Sequence, residues 1–367
     1  MQIEDKKVKI SPFVRSKNGI GKIMLDVITA MLPLILFAYL AYGEWSLLVL
    51  FSAAIAAIIT ELACALFFLN KRNTIADGSA VITAILLAFT LSPFTPWYVV
   101  SFGAAMAILF GKILWGGLGK NRFNPALLGR EFMTAFFPAV MSSGSLWSSQ
   151  GNVNIRDLPL FDYFGEDDFI QYLNMLFYKT TGAMGEYSVI FLTLGGLYLL
   201  IRRRVSWHIP FALLSTFFLL LQVFEEQHLQ YSLAGVLLGA IYMATDMPSS
   251  PSTNWGKLYY GMMIGSVAIL CLLNSARHEY MSYSILILNG FSYNINKVFS
   301  PRVWGMKVNW PQKVEQALLL TLSILSVALA VLSLHYFKLT QYLVFLFIVY
   351  LIFKFNFSFT KKLSNPI

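Results

Sequence analysis

Thr90-Leu91-Ser92-Pro93-Phe94-Thr95-Pro96-Trp97 and Thr245-Asp246-Met247-Pro248-Ser249-Ser250-Pro251-Ser252 carry one pattern, T-x-x-P-x-x-P, 155 residues apart. Each copy closes a Gly/Ala-rich apolar stretch of helical length. Hydropathy places five membrane crossings between equivalent points of the two copies, and an odd number turns the second upside down relative to the first. The pattern therefore predicts two inverted halves. In membrane proteins such an arrangement tends to put a functional site near the pseudo-two-fold axis.

Composition agrees with a membrane setting. Of 367 residues, 57% are hydrophobic and 12% charged, about half the charge of a soluble domain of this size. The net charge of +9 does not indicate a nucleic-acid partner. The basic residues sit in short clusters between apolar spans, as anchors on the inner side of a bilayer do. Cys64 and Cys271 both fall in apolar segments and read as small buried hydrophobes, not as a disulfide or a metal pair. The four histidines are scattered, and the polar, basic N-terminal stretch has no signal-peptide core.

A bilayer span takes about 20 apolar residues, fewer where the helix is broken or shielded by neighbours. Crossings are expected at roughly 22–42, 46–69, 79–92, 97–116, 124–142, 187–201, 208–224, 231–246, 258–274, 281–295, 316–335 and 339–356, the third, eighth and tenth being short. With a cytoplasmic N-terminus, the strong basic clusters (Lys6/Lys7/Lys9, Lys71-Arg72, Lys120/Arg122, Arg202-Arg203-Arg204, Lys297/Arg302/Lys307/Lys313, Lys361-Lys362) all fall on one side. The acidic loop with Asp157, Asp162, Glu166, Asp167 and Asp168 falls on the other. The expected fold is an all-α polytopic membrane protein with both termini cytoplasmic, in a bacterial cytoplasmic (inner) membrane. Its parts are a cytoplasmic segment 1–21, a first five-helix repeat 22–142, an extracytoplasmic loop 143–186, a second, inverted repeat 187–309 and an added C-terminal transmembrane hairpin 310–367.

The stretch Gly116-Gly117-Leu118-Gly119-Lys120-Asn121-Arg122-Phe123-Asn124-Pro125-Ala126 is the least membrane-like part of the first half. Its glycines permit close backbone approach, and Asn124 before Pro125 suits a capped helix N-terminus. Such an N-terminus beside Arg122 and Lys120 can receive an anionic or electron-rich group; a ligand-free tight turn uses the same residues. Asp77 opens crossing three, where it is either an N-terminal cap or part of an ion path. Asp246 follows a helix C-terminus, where the dipole opposes its charge, and Glu61 lies deep in a long span, where a carboxylate is a functional hypothesis by default. Thr181-Gly182-Ala183-Met184-Gly185-Glu186-Tyr187-Ser188 before crossing six serves as a ligand loop or an ordinary cap. The chain shows no nucleophile–base pair, P-loop, metal-ligand spacing or dinucleotide fingerprint.

In order, the chain reads DGSAVITAILLAFTLSP, GGLGKNRFNPALLGREF, GAMGEYS, GGLYLLIRRRVSWHIP, MATDMPSSPSTNWGK and NGFSYNINKVFSPRVWG. From about Ser11 to Gly305 this succession resembles the family that holds the D-type subunits of Rnf electron-transport complexes and the B-type subunits of sodium-pumping NADH:quinone reductases. The short N-terminus is similar to the Rnf-like branch. The resemblance implies ten spans in two inverted halves of urea-transporter-like fold, two further helices lying outside it. It also implies a flavin, either riboflavin or FMN, and electron transfer coupled to Na⁺ or H⁺ translocation beside other subunits of such a complex. Gly116, Gly117, Arg122, Asn124 and Thr181 are then expected around the flavin, with Glu61, Asp77 and Asp246 on an ion path.

One departure bears on the cofactor. The family links FMN by a phosphoester to the Thr of an S-G-A-T-P-L-like motif, and the nearest counterpart here, Arg156-Asp157-Leu158-Pro159-Leu160, puts Leu158 in that place. Leucine has no oxygen with which to form the ester, and Thr180 and Thr181 are the fallback acceptors. A non-covalent flavin is expected. The alternatives are a transporter or channel-like protein on the same scaffold and a cofactor-less scaffold subunit.

Overall fold

The computed structural model describes residues 19–69, 77–148, 182–186, 188–227, 229–276, 278–301 and 309–364, and among these every regular element is helical. The principal helices are α1 (Ile20–Tyr42), α2 (Glu44–Cys64), α3 (Ser79–Phe89), α4 (Trp97–Gly111) and α5 (Pro125–Phe136). There follow α6 (Val189–Ile201), α7 (His208–Val223), α8 (Leu233–Leu238, prolonged by a π-turn over Gly239–Met243), α9 (Asn254–Leu273), α10 (Tyr280–Val298), α11 (Trp310–Tyr336) and α12 (Thr340–Ser364). These match the twelve expected apolar segments in order. Five helical stretches are long and apolar enough to cross a bilayer unaided, over Ile20–Tyr42, Glu44–Phe67, Trp97–Trp115, Asn254–Leu273 and Trp310–Tyr336. The chain is therefore a multi-pass membrane protein.

The shorter helices have local causes. α3 stops at Phe89, before the first T-x-x-P-x-x-P turn, and α8 loosens into its π-turn just before the second. α5 ends six residues short of its expected limit. Pro138 has no N–H to continue the ladder, and the backbone of Phe137 leaves helical geometry at φ −126°, ψ 52°. α10 is longer than its apolar run, extending through Asn294, Asn296 and Lys297 to Val298.

Two sets of three helices pack in the same order. α2 packs on α4 and α4 on α5; in the second half α7 packs on α9 and α9 on α10. Small residues set these contacts. A Cβ on Gly129 of α5 would lie 2.6 Å from the Gly103 carbonyl oxygen of α4, and one on Gly261 of α9 the same distance from the Ile209 carbonyl oxygen of α7. Close backbone approach of this kind holds helices together where lipid removes the hydrophobic drive. α1 packs on α6, where buried Asp26 of α1 accepts from Arg204 Nε (2.6 Å), Arg202 (3.1 Å) and the Tyr198 hydroxyl (3.2 Å). α4 and α9 are inner helices. α1, α2 and α11 turn large apolar side chains outward, among them Leu36, Phe51, Ile59 and Leu322. α11 lies on α10, and α12 lies on α5, where Phe347 meets Phe123, Phe345 meets Phe136 and the Lys354 ammonium sits 3.7 Å from the Trp115 ring centre.

Candidate functional site

The start of α3, the start of α5 and the end of α8 converge on one cavity of about 470 Å³. Its walls are apolar, from Ile23 and Met24 of α1, Ile82 and Leu86 of α3, and Ile241 of α8. Its polar lining comes from Ser79, Thr83, Lys112, Asn121, Asn124, Arg204, Thr245 and Asp246. The sequence builds this polar end through caps and glycines. Asn124 Oδ1 accepts from the N–H groups of Ala126 (3.0 Å) and Leu127 (3.3 Å), capping α5 as expected, while its Nδ2 donates to the Met243 carbonyl at the end of α8 (3.0 Å). Gly116 and Gly117, at φ +107° and +94°, take the left-handed region closed to most side chains, and so turn the chain from α4 back towards α5.

Asp246 is held by Asn121 Nδ2 (2.9 Å) and the Ser249 hydroxyl (2.9 Å). Buried Asn289 of α10 ties the same corner together. In the amide orientation that satisfies both of its ends, it accepts from Asn124 N–H (2.9 Å) and donates to the Ser249 carbonyl (3.3 Å) and the Tyr260 hydroxyl. The second T-x-x-P-x-x-P turn is thereby fastened to the cap of α5. The first makes a different set of contacts, the Ser92 hydroxyl donating to the Leu146 carbonyl and Met184 N–H to the Leu91 carbonyl.

A buried ion pair borders the cavity. Lys112 Nζ donates to Glu61 Oε1 (2.6 Å) and to the Ser79 hydroxyl, and the Ser79 hydroxyl and N–H both reach Asp77 Oδ1 (2.6 and 2.8 Å). Asp77 thus caps the start of α3 and shares one chain of contacts with Glu61. Among the described residues, Glu61 Oε2 and the Tyr242 hydroxyl are buried without a hydrogen-bond partner, and Tyr242 lines the cavity.

Of the residues expected from the sequence, Asn124 and Asp246 line the cavity, and Asp77 and Glu61 connect to it through Ser79 and Lys112. Gly116, Gly117 and Arg122 are not among its lining residues. Arg122 instead donates to the Gly290 carbonyl (3.2 Å) on the surface. Leu158, Thr180 and Thr181 lie outside the described residues. The sequence reading misses Lys112, although a lysine within the apolar run LFGKILW is a signal that points to it. It misses the buried neighbours Arg130 and Glu131 in GREF in the same way.

An all-helical, multi-pass membrane protein with a partly polar cavity among its helices is the class that the fold and site define, and comparison narrows it. The chain belongs to the NQR2, RnfD, RnfE family, whose model matches residues 7–305. It is 32% identical over 324 residues to the D-type subunit of a proton-translocating ferredoxin:NAD(+) oxidoreductase complex from Clostridium ljungdahlii, covering 82% of this chain and 96% of that one. It is 34% identical to the D-type subunit of the Na(+)-translocating counterpart from Acetobacterium woodii (82% and 95%). To the D-type subunit of an ion-translocating oxidoreductase complex from Alcanivorax borkumensis the identity is 30% (81% and 96%). The α11–α12 hairpin begins beyond the family match.

Proposed function

We propose that this chain is the D-type membrane subunit of an Rnf-like complex in a bacterial cytoplasmic membrane, with both termini inside. It passes electrons through a bound flavin while Na⁺ or H⁺ crosses, among other subunits of that complex. The observation that carries the reading is the cavity at the start of α5. Its 470 Å³ lies in the range of small-molecule sites, about 300–1,000 Å³. Apolar walls suit the faces of an isoalloxazine, and Asn121, Thr245 and the capped start of α5 offer polar groups for one edge. The Tyr242 hydroxyl, unpartnered among the described residues, is a further group that a bound ligand would satisfy. The residues present therefore fit the cofactor.

When bound, a flavin supplies reversible acceptance and release of electrons. The protein's own part is to hold and bias it. Asn124 and Asn121 fix the edge, and the positive end of the α5 dipole at Pro125 favours added electrons. Asp246, Asp77 and Glu61 are the carboxylates through which a cation would be drawn as that charge changes. With leucine at 158, the flavin is non-covalent riboflavin or FMN.

The test is an absorbance spectrum of the purified complex before and after acid precipitation, with the intact mass of this chain. Yellow colour released to the supernatant and an unshifted mass are expected. Colour retained with the mass of one FMN would overturn the non-covalent assignment, and a colourless, unshifted chain would overturn the flavin reading in favour of a scaffold or transporter.

A further inference from the structure

A second polar cluster lies at the other end of α5. Glu131 is six residues beyond Pro125, roughly 9 Å along the axis at 1.5 Å per residue, and is buried, with 8% of its surface exposed. Among the described residues its hydrogen-bond partners are hydroxyls. The Ser282 hydroxyl of α10 donates to Oε1, and the Thr134 hydroxyl lies 3.5 Å from Oε2. The adjacent Arg130 guanidinium is directed instead at the Thr90 and His278 carbonyls and lines a small cavity with Glu186. Glu279 lies three residues, about one turn, before Ser282, and so on the side of α10 that carries the hydroxyl holding Glu131. Its Oε2 lies 3.5 Å from His335 Nδ1, which also contacts the Tyr283 hydroxyl at 3.1 Å.

Three features separate this arrangement from a fortuitous acidic cluster. Exposure rises along it, from Glu131 at 8% to the side chains of Glu279 at 18% and His335 at 32%. It ends on an imidazole, the side chain best suited to exchange protons with water near neutral pH. That imidazole belongs to α11, outside the part of the chain that matches the family.

We propose that Glu131 carries a proton in the half of the molecule opposite the cavity, and that the C-terminal hairpin completes its path to water through Glu279 and His335. In an outward transfer the Glu131 acid O–H breaks as the Ser282 hydroxyl takes its proton and gives up its own, which the Glu279 carboxylate takes up. Glu279 passes it to the neutral His335 ring, which releases it to water. Each donor is left one proton poorer, and no electron moves. Among the described residues, Arg130 of α5, Glu279 at the cap of α10, Tyr283 of α10 and His335 of α11 are the titratable and charged groups adjoining this step. The purpose of the path rests on the ion-translocating reading above, but its existence does not depend on the flavin.

The test is hydrogen–deuterium exchange of the protonated-carboxyl infrared band, followed in films of the full chain in lipid between pH 5 and 8. The band is assigned by its disappearance in Glu131→Gln or its displacement in Glu131→Asp. His335→Phe, and His335→Asn, which retains a hydrogen-bonding side chain, should each slow exchange by on the order of a hundredfold. Added imidazole should restore the rate. Absence of any band that changes in both Glu131 variants would overturn the proposal, as would unaltered exchange in the His335 variants. Slowed exchange that imidazole fails to restore would also overturn it, leaving His335 as a clasp between α10 and α11. No turnover or cofactor is needed, so failure here leaves the flavin reading to be judged by its own spectrum.

Discussion

At the residue scale, Lys112 and Glu61 carry the largest electrostatic stake near the cavity. Both are almost fully buried, and their 2.6 Å contact is the ion pair that offsets the desolvation of each. Removing one partner strands the other charge, an effect of about 3–5 kcal/mol. Lys112→Met should therefore lower the melting temperature and yield of the protein in detergent. Lys112→Met combined with Glu61→Met should recover most of the loss, because both charges then leave together. A double variant as unstable as the single one would show that Lys112 acts through Ser79 and the cap of α3 instead. Asn124 calls for a different measurement. Its Oδ1 caps α5 and its Nδ2 ties the cap to α8. Asn124→Leu should lose about 1 kcal/mol of capping, fill part of the cavity and release the flavin. Full flavin content in the purified variant would remove Asn124 from the binding site. Asn124 is legible as a cap because Asn-Pro at the head of an apolar run has few other uses. Its bond to Met243 is not, because a contact across 119 residues leaves no local mark.

At the element scale, packing between helices depends on the absence of side chains. Gly129 faces the Gly103 carbonyl and Ala107 across the α4–α5 contact, a built Cβ meeting them at 2.6 and 2.7 Å. Because the nearest atoms include backbone, the helices themselves must separate to admit a side chain. Gly129→Val should destabilise the protein by about 1–3 kcal/mol and widen the mouth of the cavity, since Pro125 rides on the same helix. Thermal unfolding of the purified variant checks the first effect, and faster dissociation of the flavin checks the second. Helix identity is readable along most of the chain from apolar runs, and Pro93, Pro96 and Pro248 mark the two breaks. Hydropathy misplaces the end of α5, because Phe137-Pro138-Ala139-Val140-Met141 is apolar and a count of apolar residues carries the helix through it. It shortens α10 for the opposite reason. The last turns of α10 present asparagines and a lysine, which a hydropathy count discards although the backbone remains helical.

At the scale of the whole molecule, the packing order α2–α4–α5 and α7–α9–α10 runs parallel to the two copies of the T-x-x-P-x-x-P turn. If the second half is inverted, the two turns face opposite sides of the membrane, and one of them opens towards the cavity. The observed contacts are unequal in that sense: Asp246 and Ser249 of the second turn join the cavity corner, while Ser92 of the first binds Leu146 far from it. Trp97 and Ser252 occupy equivalent places at the ends of the turns, and both are exposed. With Cys64 and Cys271 replaced by alanine or serine, a single cysteine at each place reports its side. A membrane-impermeant thiol reagent added to intact cells should label Trp97→Cys. It should leave Ser252→Cys unmodified until the membrane is opened. Labelling of both from the same side would place the halves in parallel and remove the axis near which the cavity is proposed to sit. The charge pattern supports opposite sides: Arg202–Arg204 and the second turn belong with the basic face, and the N-terminal end of α4 belongs with the acidic loop.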